Sequence, residues 1–108
     1  MLRSYFYAIN GHRLLDAYSM YTDSFKTEMP FRKWSAGYRT SLSTKVLEMQ
    51  GEYVGDGHVK INYKIASQDY HPKGLLEKKY EGICDMIRIQ GRWKINELDS
   101  EEVERAIN

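Results

Sequence analysis

The fold is decided by the stretch Val59-Lys60-Ile61-Asn62-Tyr63-Lys64-Ile65, in which apolar and polar residues alternate without a break. A period of two residues is typical of a β-strand with one face buried and the other in water. The stretch lies within a longer segment, 45–96, in which glycine-containing turns separate further strand-like runs. We therefore predict that this segment forms a sheet of long antiparallel strands.

The segment Gly55-Asp56-Gly57 is typical of a hairpin turn, because glycine tolerates positive φ. A two-residue loop would pair Val54 with Val59 and would place Glu52 on the apolar face. A three-residue loop instead pairs Tyr53 with Val59 and keeps that face apolar, whereas a one-residue slip would turn every side chain over. We predict the three-residue loop, with a glycine in the left-handed conformation. The further pairs are Gly51 with Ile61, Met49 with Tyr63, and Leu47 with Ile65.

Gln90-Gly91 predicts a second hairpin with a two-residue loop, in which Arg88 lies opposite Trp93. The face that the helices would cover then holds Tyr80, Gly82, Cys84, Met86, Arg88, Trp93 and Ile95. The opposite face holds Lys79, Glu81, Ile83, Asp85, Ile87, Ile89, Lys94 and Asn96. Gly51 and Gly82 lie in mid-strand, where glycine marks a bulge or a bend, so we predict a strongly curved sheet.

Three helices are predicted before the sheet. The first ends at Asn10-Gly11, and the second should cover residues 12–21. Thr22-Asp23-Ser24 is typical of a turn, and Pro30 suits the first position of a third helix. The apolar stripe of that third helix would be Phe31, Trp34, Tyr38 and Leu42. Three helices packed on one face of four antiparallel strands make an α+β fold.

Two segments are predicted to lie outside the strands. Residues 67–74 contain both Pro72 and Gly74 and are polar, which predicts a long loop between the second and third strands. Asp99-Ser100-Glu101-Glu102 resembles the start of a helix with a capping box. The acidic side chains of this tail are most simply a solvated face.

The composition excludes several classes of protein. The chain has 108 residues, which predicts one domain, and 16 basic residues against 15 acidic ones give a net charge of +1. A general nucleic-acid binder would carry a clear positive excess. The single cysteine, Cys84, excludes an internal disulfide and a multi-cysteine zinc site, and its inward position predicts an inert thiol.

No run of apolar residues is long enough for a membrane span, and the start of the chain lacks the pattern of a signal peptide. We therefore expect a cytoplasmic protein, or an extracytoplasmic one if the chain is a piece of an anchored protein. No metal or cofactor is predicted.

Four stretches carry a resemblance to a known superfamily. They are Ala8-Ile9-Asn10-Gly11, then Ala17-Tyr18-Ser19-Met20-Tyr21 leading to Ser24-Phe25, then Phe31-Arg32-Lys33-Trp34, and Gly91-Arg92-Trp93-Lys94-Ile95. With this order of elements, the chain resembles the nuclear-transport-factor-2-like superfamily, a cystatin-like α+β cone. Among its subfamilies, it looks most like small accessory domains of bacterial transpeptidases and lipoproteins. The first helix usually begins further upstream in this superfamily. Either this helix is short, or the chain is a piece of a longer protein.

The resemblance implies a conical pocket between sheet and helices, and dimerisation through the outer face of the sheet. The predicted cavity residues are Tyr18, Trp34, Tyr63, Tyr80, Arg88 and Trp93. Arg88 has two interpretations: stacking on Trp93 or pairing with an acid of the tail, and anchoring an anionic ligand in the cavity. On the outer face, Ile83, Ile87 and Ile89, with Val46 and Val54 beside them, predict a homodimer interface or a docking surface for a neighbouring domain.

Catalytic candidates are few. The predicted register places no acid on the inner face of the sheet, and Asp85 points outward. Asp16 is a loose candidate base, Asp69 and His71 could form a pair at the cavity mouth, and His12 and His58 are predicted surface residues. Three functions stay open: a non-catalytic ligand-binding or interaction module, a small isomerase- or dehydratase-like enzyme for an apolar or acidic metabolite, and an accessory domain of a larger bacterial envelope protein.

Overall fold

Four short helices precede four long strands in the computed structural model, which describes residues 2–107. The helices are α1 (Leu2–Asn10), α2 (Leu14–Ser19), α3 (Asp23–Glu28) and α4 (Phe31–Ala36). The strands are β1 (Ser41–Gly55), β2 (His58–His71), β3 (Gly74–Ile89) and β4 (Arg92–Ile107). The predicted α+β class, with N-terminal helices and one four-stranded antiparallel sheet, is confirmed.

The sheet is an open meander in the order β1-β2-β3-β4. Because β1 and β4 are its two edges, the sheet is not closed, and the predicted cone is not confirmed. A short parallel bridge between Tyr21 and Ile95 joins the helical region to β4. It is secured by hydrogen bonds from Thr22 N to Ile95 O (2.9 Å) and from Ile95 N to Met20 O (2.8 Å).

The helical region differs from the prediction of three helices. The predicted second helix is reduced to α2, and the segment predicted as a turn instead begins α3. The reason is that Thr22 caps this helix, since its hydroxyl accepts a hydrogen bond from Phe25 N at 3.1 Å. Helix α4 begins at Phe31, with Pro30 as its N-cap residue and not its first residue, and it ends at Ala36. Tyr38 therefore lies in a turn and Leu42 in β1, and neither is part of the predicted helical stripe.

The first hairpin has the predicted register but a different turn. Tyr53 pairs with Val59, as predicted, while Gly55 pairs with His58 around a two-residue turn in which Gly57 has φ +72. A bulge at the intervening Val54 absorbs the extra residue and keeps the apolar face in register. The pairs of Gly51 with Ile61 and Met49 with Tyr63 are confirmed, but Ile65 pairs with Val46 because Leu47 is also bulged.

The second hairpin is confirmed, with Arg88 opposite Trp93 and Met86 opposite Ile95 around Gln90-Gly91. The two segments predicted outside the strands are, however, strands. Residues 67–71 continue β2 and pair with β3, which leaves only a tight turn at residues 72–73. The tail pairs with β3 as far as Ile107, so no helix begins at Asp99.

The core lies between α1, α2, α4 and the middle of the sheet. Its members are Leu2, Tyr5, Phe6, Ala8, Ile9, Ala17, Tyr21, Trp34, Tyr63, Ile65, Cys84, Met86 and Ile95. Within it the Tyr5 hydroxyl forms hydrogen bonds with Tyr21 (2.7 Å) and Tyr38 (3.3 Å). Burial, followed by the neighbouring tyrosines, raises the pKa of Tyr5, so these phenols stay neutral and satisfied in the core.

Alkaline pH is expected to destabilise this core. Burial, and then the charge of Asp85, raises the pKa of the Cys84 thiol from 9.0 to about 12. The folded state therefore holds the proton more tightly than the unfolded state, and stability present below pH 9 is lost as the pH rises towards 12. Urea unfolding across this range should show a falling midpoint, with a shallower fall in Cys84→Ala. A midpoint independent of pH would contradict the expectation.

Candidate functional site

A cavity of about 460 Å³ lies between the helices and the inner face of the sheet. It is lined by Phe6, Ile9, Met29, Lys33, Trp34, Gly37, Tyr38, Ser41, Thr44, Ile65, Ser67, Asp69, Lys78, Tyr80, Leu98 and Ser100. This volume lies within the range of roughly 300–1,000 Å³ found for small-molecule sites. Its lining comes from α1, the chain around α4, and all four strands.

One wall of the cavity is aromatic. Trp34 of α4 is buried and stands 5.0 Å from the ring of Tyr38 and 5.4 Å from that of Tyr18. The Tyr18 hydroxyl donates to Met29 O at 2.8 Å, which ties α2 to the chain before α4. These contacts fix the position of Trp34, so the wall that it provides is largely preformed.

The opposite wall carries a shielded ion pair. Lys78 Nζ lies 2.8 Å from Asp69 Oδ2, and only 18% and 14% of the two side chains are exposed. The Lys78 ammonium also lies 5.7 Å from the centre of the Tyr80 ring. Burial by itself would lower the pKa of Lys78, but the hydrogen bond to Asp69 and the contact with Tyr80 outweigh it and raise the pKa. Lys78 is therefore a cation at neutral pH.

The predicted cavity residues are only partly brought together. Trp34 and Tyr80 line the cavity. Tyr18 stands behind Trp34, and Tyr63 lies in the core, where its hydroxyl bonds Ser100 Oγ across Gly82. Trp93 is half-buried further along the inner face.

Arg88 shares the predicted face but is not among the residues that line the cavity. Its guanidinium lies 5.7 Å from the Trp93 ring and 3.3 Å from Asp56 Oδ1, and 45% of its side chain is exposed. The two hairpins lie at the same end of the sheet, where Arg88 N donates to Gly57 O at 2.9 Å. The acidic partner is therefore a turn residue and not an acid of the tail.

Two site residues were not predicted correctly. Asp69 was expected in a loop, and Lys78 was not considered. The expectation that the inner face holds no acid is wrong, since Asp69 lies on the same face of β2 as Ile65. Position was the available signal, because residues 67 and 69 fall at the odd-numbered positions that face the helices in residues 59–65, although both are polar. Polarity and the nearby Pro72 hid that signal, because polar residues near proline suggest a loop.

The predicted histidine–carboxylate pair does not form. Asp69 binds Lys78, while His71 Nδ1 accepts a hydrogen bond from Lys73 N at 3.1 Å. Asp16 is exposed on the far side of α2. Residues 2–107 contain no group of three or more His, Cys, Asp or Glu side chains that could hold a metal ion.

His58 contacts Asp85 on the outer face, where Asn96 Nδ2 donates to the same carboxylate at 3.3 Å. Two of the predicted interface isoleucines are also exposed there, Ile83 by 49% and Ile89 by 43%, while Ile87 is half-buried. Val46 packs against the core instead, because the bulge at Leu47 reverses the alternation of β1. Ion pairs link Lys64 to Glu48 and Glu81 on this face, so it is largely charged.

The geometry defines an α+β protein with a preformed cavity between its helices and an open sheet. No protein-family model matches this chain, and no curated protein shows significant similarity to it. Within residues 2–107, none of the helices combines the length and hydrophobicity that a bilayer-spanning helix requires.

Proposed function

We propose that this chain is a non-catalytic module that binds a small ligand in the cavity between α4 and the sheet. The observation that carries the proposal is the combination of one aromatic wall with a shielded ion pair opposite it. Apolar walls with a few convergent polar groups are the usual composition of a small-molecule site. The apolar surface would supply affinity, and Asp69 with Lys78 would orient the ligand.

The proposal extends to the nuclear-transport-factor-2-like superfamily. Support comes from the order of elements, helices followed by an antiparallel meander, and from the position of the cavity. Within that superfamily an accessory domain of a larger bacterial envelope protein is a further candidate, which would place the chain outside the cytoplasm.

Enzymatic activity of the isomerase or dehydratase type is the second candidate function. It is favoured by one observation, the presence of the Asp69 carboxylate in the cavity beside a cation and a phenol. A carboxylate base next to a proton donor is the arrangement that proton transfer requires. Turnover of the bound ligand by wild-type protein, abolished in Asp69→Asn, would support this function over simple binding.

A homodimer formed through the outer face is also proposed, supported by the exposed Ile83 and Ile89. Native mass spectrometry of protein purified from cells tests the dimer and the ligand together. We expect a mass of two chains with a small adduct. Replacing Ile83 by Lys, at a position that is already half exposed, should give a folded monomer. A wild-type protein that is monomeric would contradict the dimer.

A matched pair of variants tests the cavity. Thr44 lines it from the edge strand β1, while the neighbouring Lys45 is exposed. Thr44→Trp should fill the cavity and remove the adduct, whereas Lys45→Trp should keep it. Wild-type protein without an adduct, or an adduct that survives in Thr44→Trp, would contradict the proposed site.

A further inference from the structure

The charges that line the cavity are not balanced. Two lysines, Lys33 and Lys78, face one aspartate, Asp69, which leaves one net positive charge. Lys78 and Asp69 compensate each other directly at 2.8 Å. Lys33 lies in the last turn of α4 and brings the uncompensated charge to the cavity. A ligand with one negative charge would complete the electrostatic balance.

Lys78 still has capacity to bind such a ligand. An ammonium group has three N–H donors, and the ion pair with Asp69 uses one of them. Its position near the Tyr80 ring holds the group at the cavity wall. A carboxylate can accept a hydrogen bond from one of the remaining donors, whereas a cationic ligand would have to compete with Lys78 for Asp69. The ion pair therefore disfavours cations.

The apolar part of the lining determines the shape and polarity of the ligand beyond its charged group. Trp34, Tyr38 and Tyr80 present rings to the cavity, and Ile65 and Leu98 add aliphatic surface. Aromatic walls suit a flat apolar body, because stacked and edge-on contacts add to the burial of area.

We propose that the cavity binds a small monocarboxylic acid with a flat apolar body, its carboxylate held by Lys78, its charge also attracted by Lys33, and its body lying against Trp34 and Tyr38. This inference rests on the proposed ligand-binding function and specifies its ligand class. It predicts discrimination between an acid and a neutral compound of the same shape, because both can accept a hydrogen bond from an ammonium group but only the acid adds the attraction between opposite charges.

The test is calorimetric titration of the protein with naphthalene carboxylate and with naphthalene carboxamide at neutral pH. We expect the carboxylate to bind about tenfold more tightly, because the carboxylate adds an ion pair with the lysines where the carboxamide offers only a neutral acceptor. Equal affinities, or tighter binding of the amide, would overturn the inference and leave the ligand-binding function standing. Binding of neither probe up to its solubility limit would contradict both.

Three variants test whether the cavity charges cause the preference for the acid. Lys33 is exposed, so Lys33→Gln should not disturb folding and should weaken binding of the carboxylate several-fold while the carboxamide is unaffected. Lys60→Gln, which removes an exposed lysine of the outer face, is the matched control and should change neither affinity. Asp69→Asn releases Lys78 from its partner and should increase the preference for the acid. A preference that is the same in Lys33→Gln and Asp69→Asn as in wild type would place the acid elsewhere and overturn the inference.

Discussion

Gly82→Ala is expected to lower the free energy of unfolding by about 3 kcal/mol, at the upper end of the usual cost of overpacking a core. A Cβ atom at this position of β3 would meet the ring and hydroxyl of Tyr63 and the Asp99 carbonyl oxygen at less than 3.0 Å. Real Cβ atoms essentially never show such distances. The Tyr63 ring lies across the strand at the only residue type that leaves room for it.

This clash cannot be relieved by a small movement of one side chain. Tyr63 is held by Phe6, with ring centres 5.2 Å apart, and its hydroxyl bonds Ser100 Oγ. The second obstacle is backbone, so β4 itself would have to move away from β3. We therefore expect the cost to appear as lost stability and not as a simple rotamer change.

The matched control is Gly51→Ala, in the middle of β1. Among residues 2–107, the added Cβ would meet Ile61 Cγ1 at 4.0 Å, which is ordinary contact. Its stability should stay within about 1 kcal/mol of wild type, since alanine also restricts the unfolded chain. Urea denaturation of both variants measures the difference. Equal effects at the two positions would show that Tyr63 does not occupy the space above Gly82.

Lys78→Met is expected to destabilise the protein by about 3 kcal/mol, because it leaves the shielded Asp69 carboxylate without its partner. The double variant Asp69→Leu with Lys78→Met removes both charges and should recover most of that loss, since apolar replacement of a buried pair is often neutral or stabilising. The reason is that desolvation of each charge offsets most of their attraction.

The adjacent pair of Lys79 and Glu104 provides the control for this measurement. These side chains are also an ion pair, at 3.1 Å, but both are more than half exposed. Lys79→Met should therefore change stability by less than about 1 kcal/mol. Similar costs for Lys78→Met and Lys79→Met, or a double variant no more stable than Lys78→Met, would contradict the shielded environment of Asp69 and with it the cavity wall.

The parts of the fold that could be predicted depend on local chemistry. Gln90-Gly91 determines its own turn, and the alternation of residues 59–65 determines which side chains face the helices. The register of the first hairpin was also predictable, because only one register keeps the apolar residues on one face. Its turn was not, since a bulge at Val54 and a longer loop give the same downstream pairing.

The errors fall where the local sequence conflicts with its neighbours in space. Asp99-Ser100-Glu101-Glu102 has the pattern of a helix start, yet it pairs with β3, where Lys79 binds Glu104 and the Tyr63 hydroxyl reaches Ser100. The polar residues 67–71 likewise become strand because β3 continues beside them. In both places backbone pairing with a neighbour outweighs weak local propensity.

The sequence by itself determined the α+β class, the positions of the two hairpins at residues 55–57 and 90–91, and the inner face at Cys84 and Met86. These features follow from periodicity and turn residues within a few positions of one another. Only the tertiary structure decided that Asp69 and Lys78 meet in the cavity, because their contact depends on the pairing of β2 with β3 beyond the helices. The cavity acquires its charge from this long-range pairing, which no local pattern records.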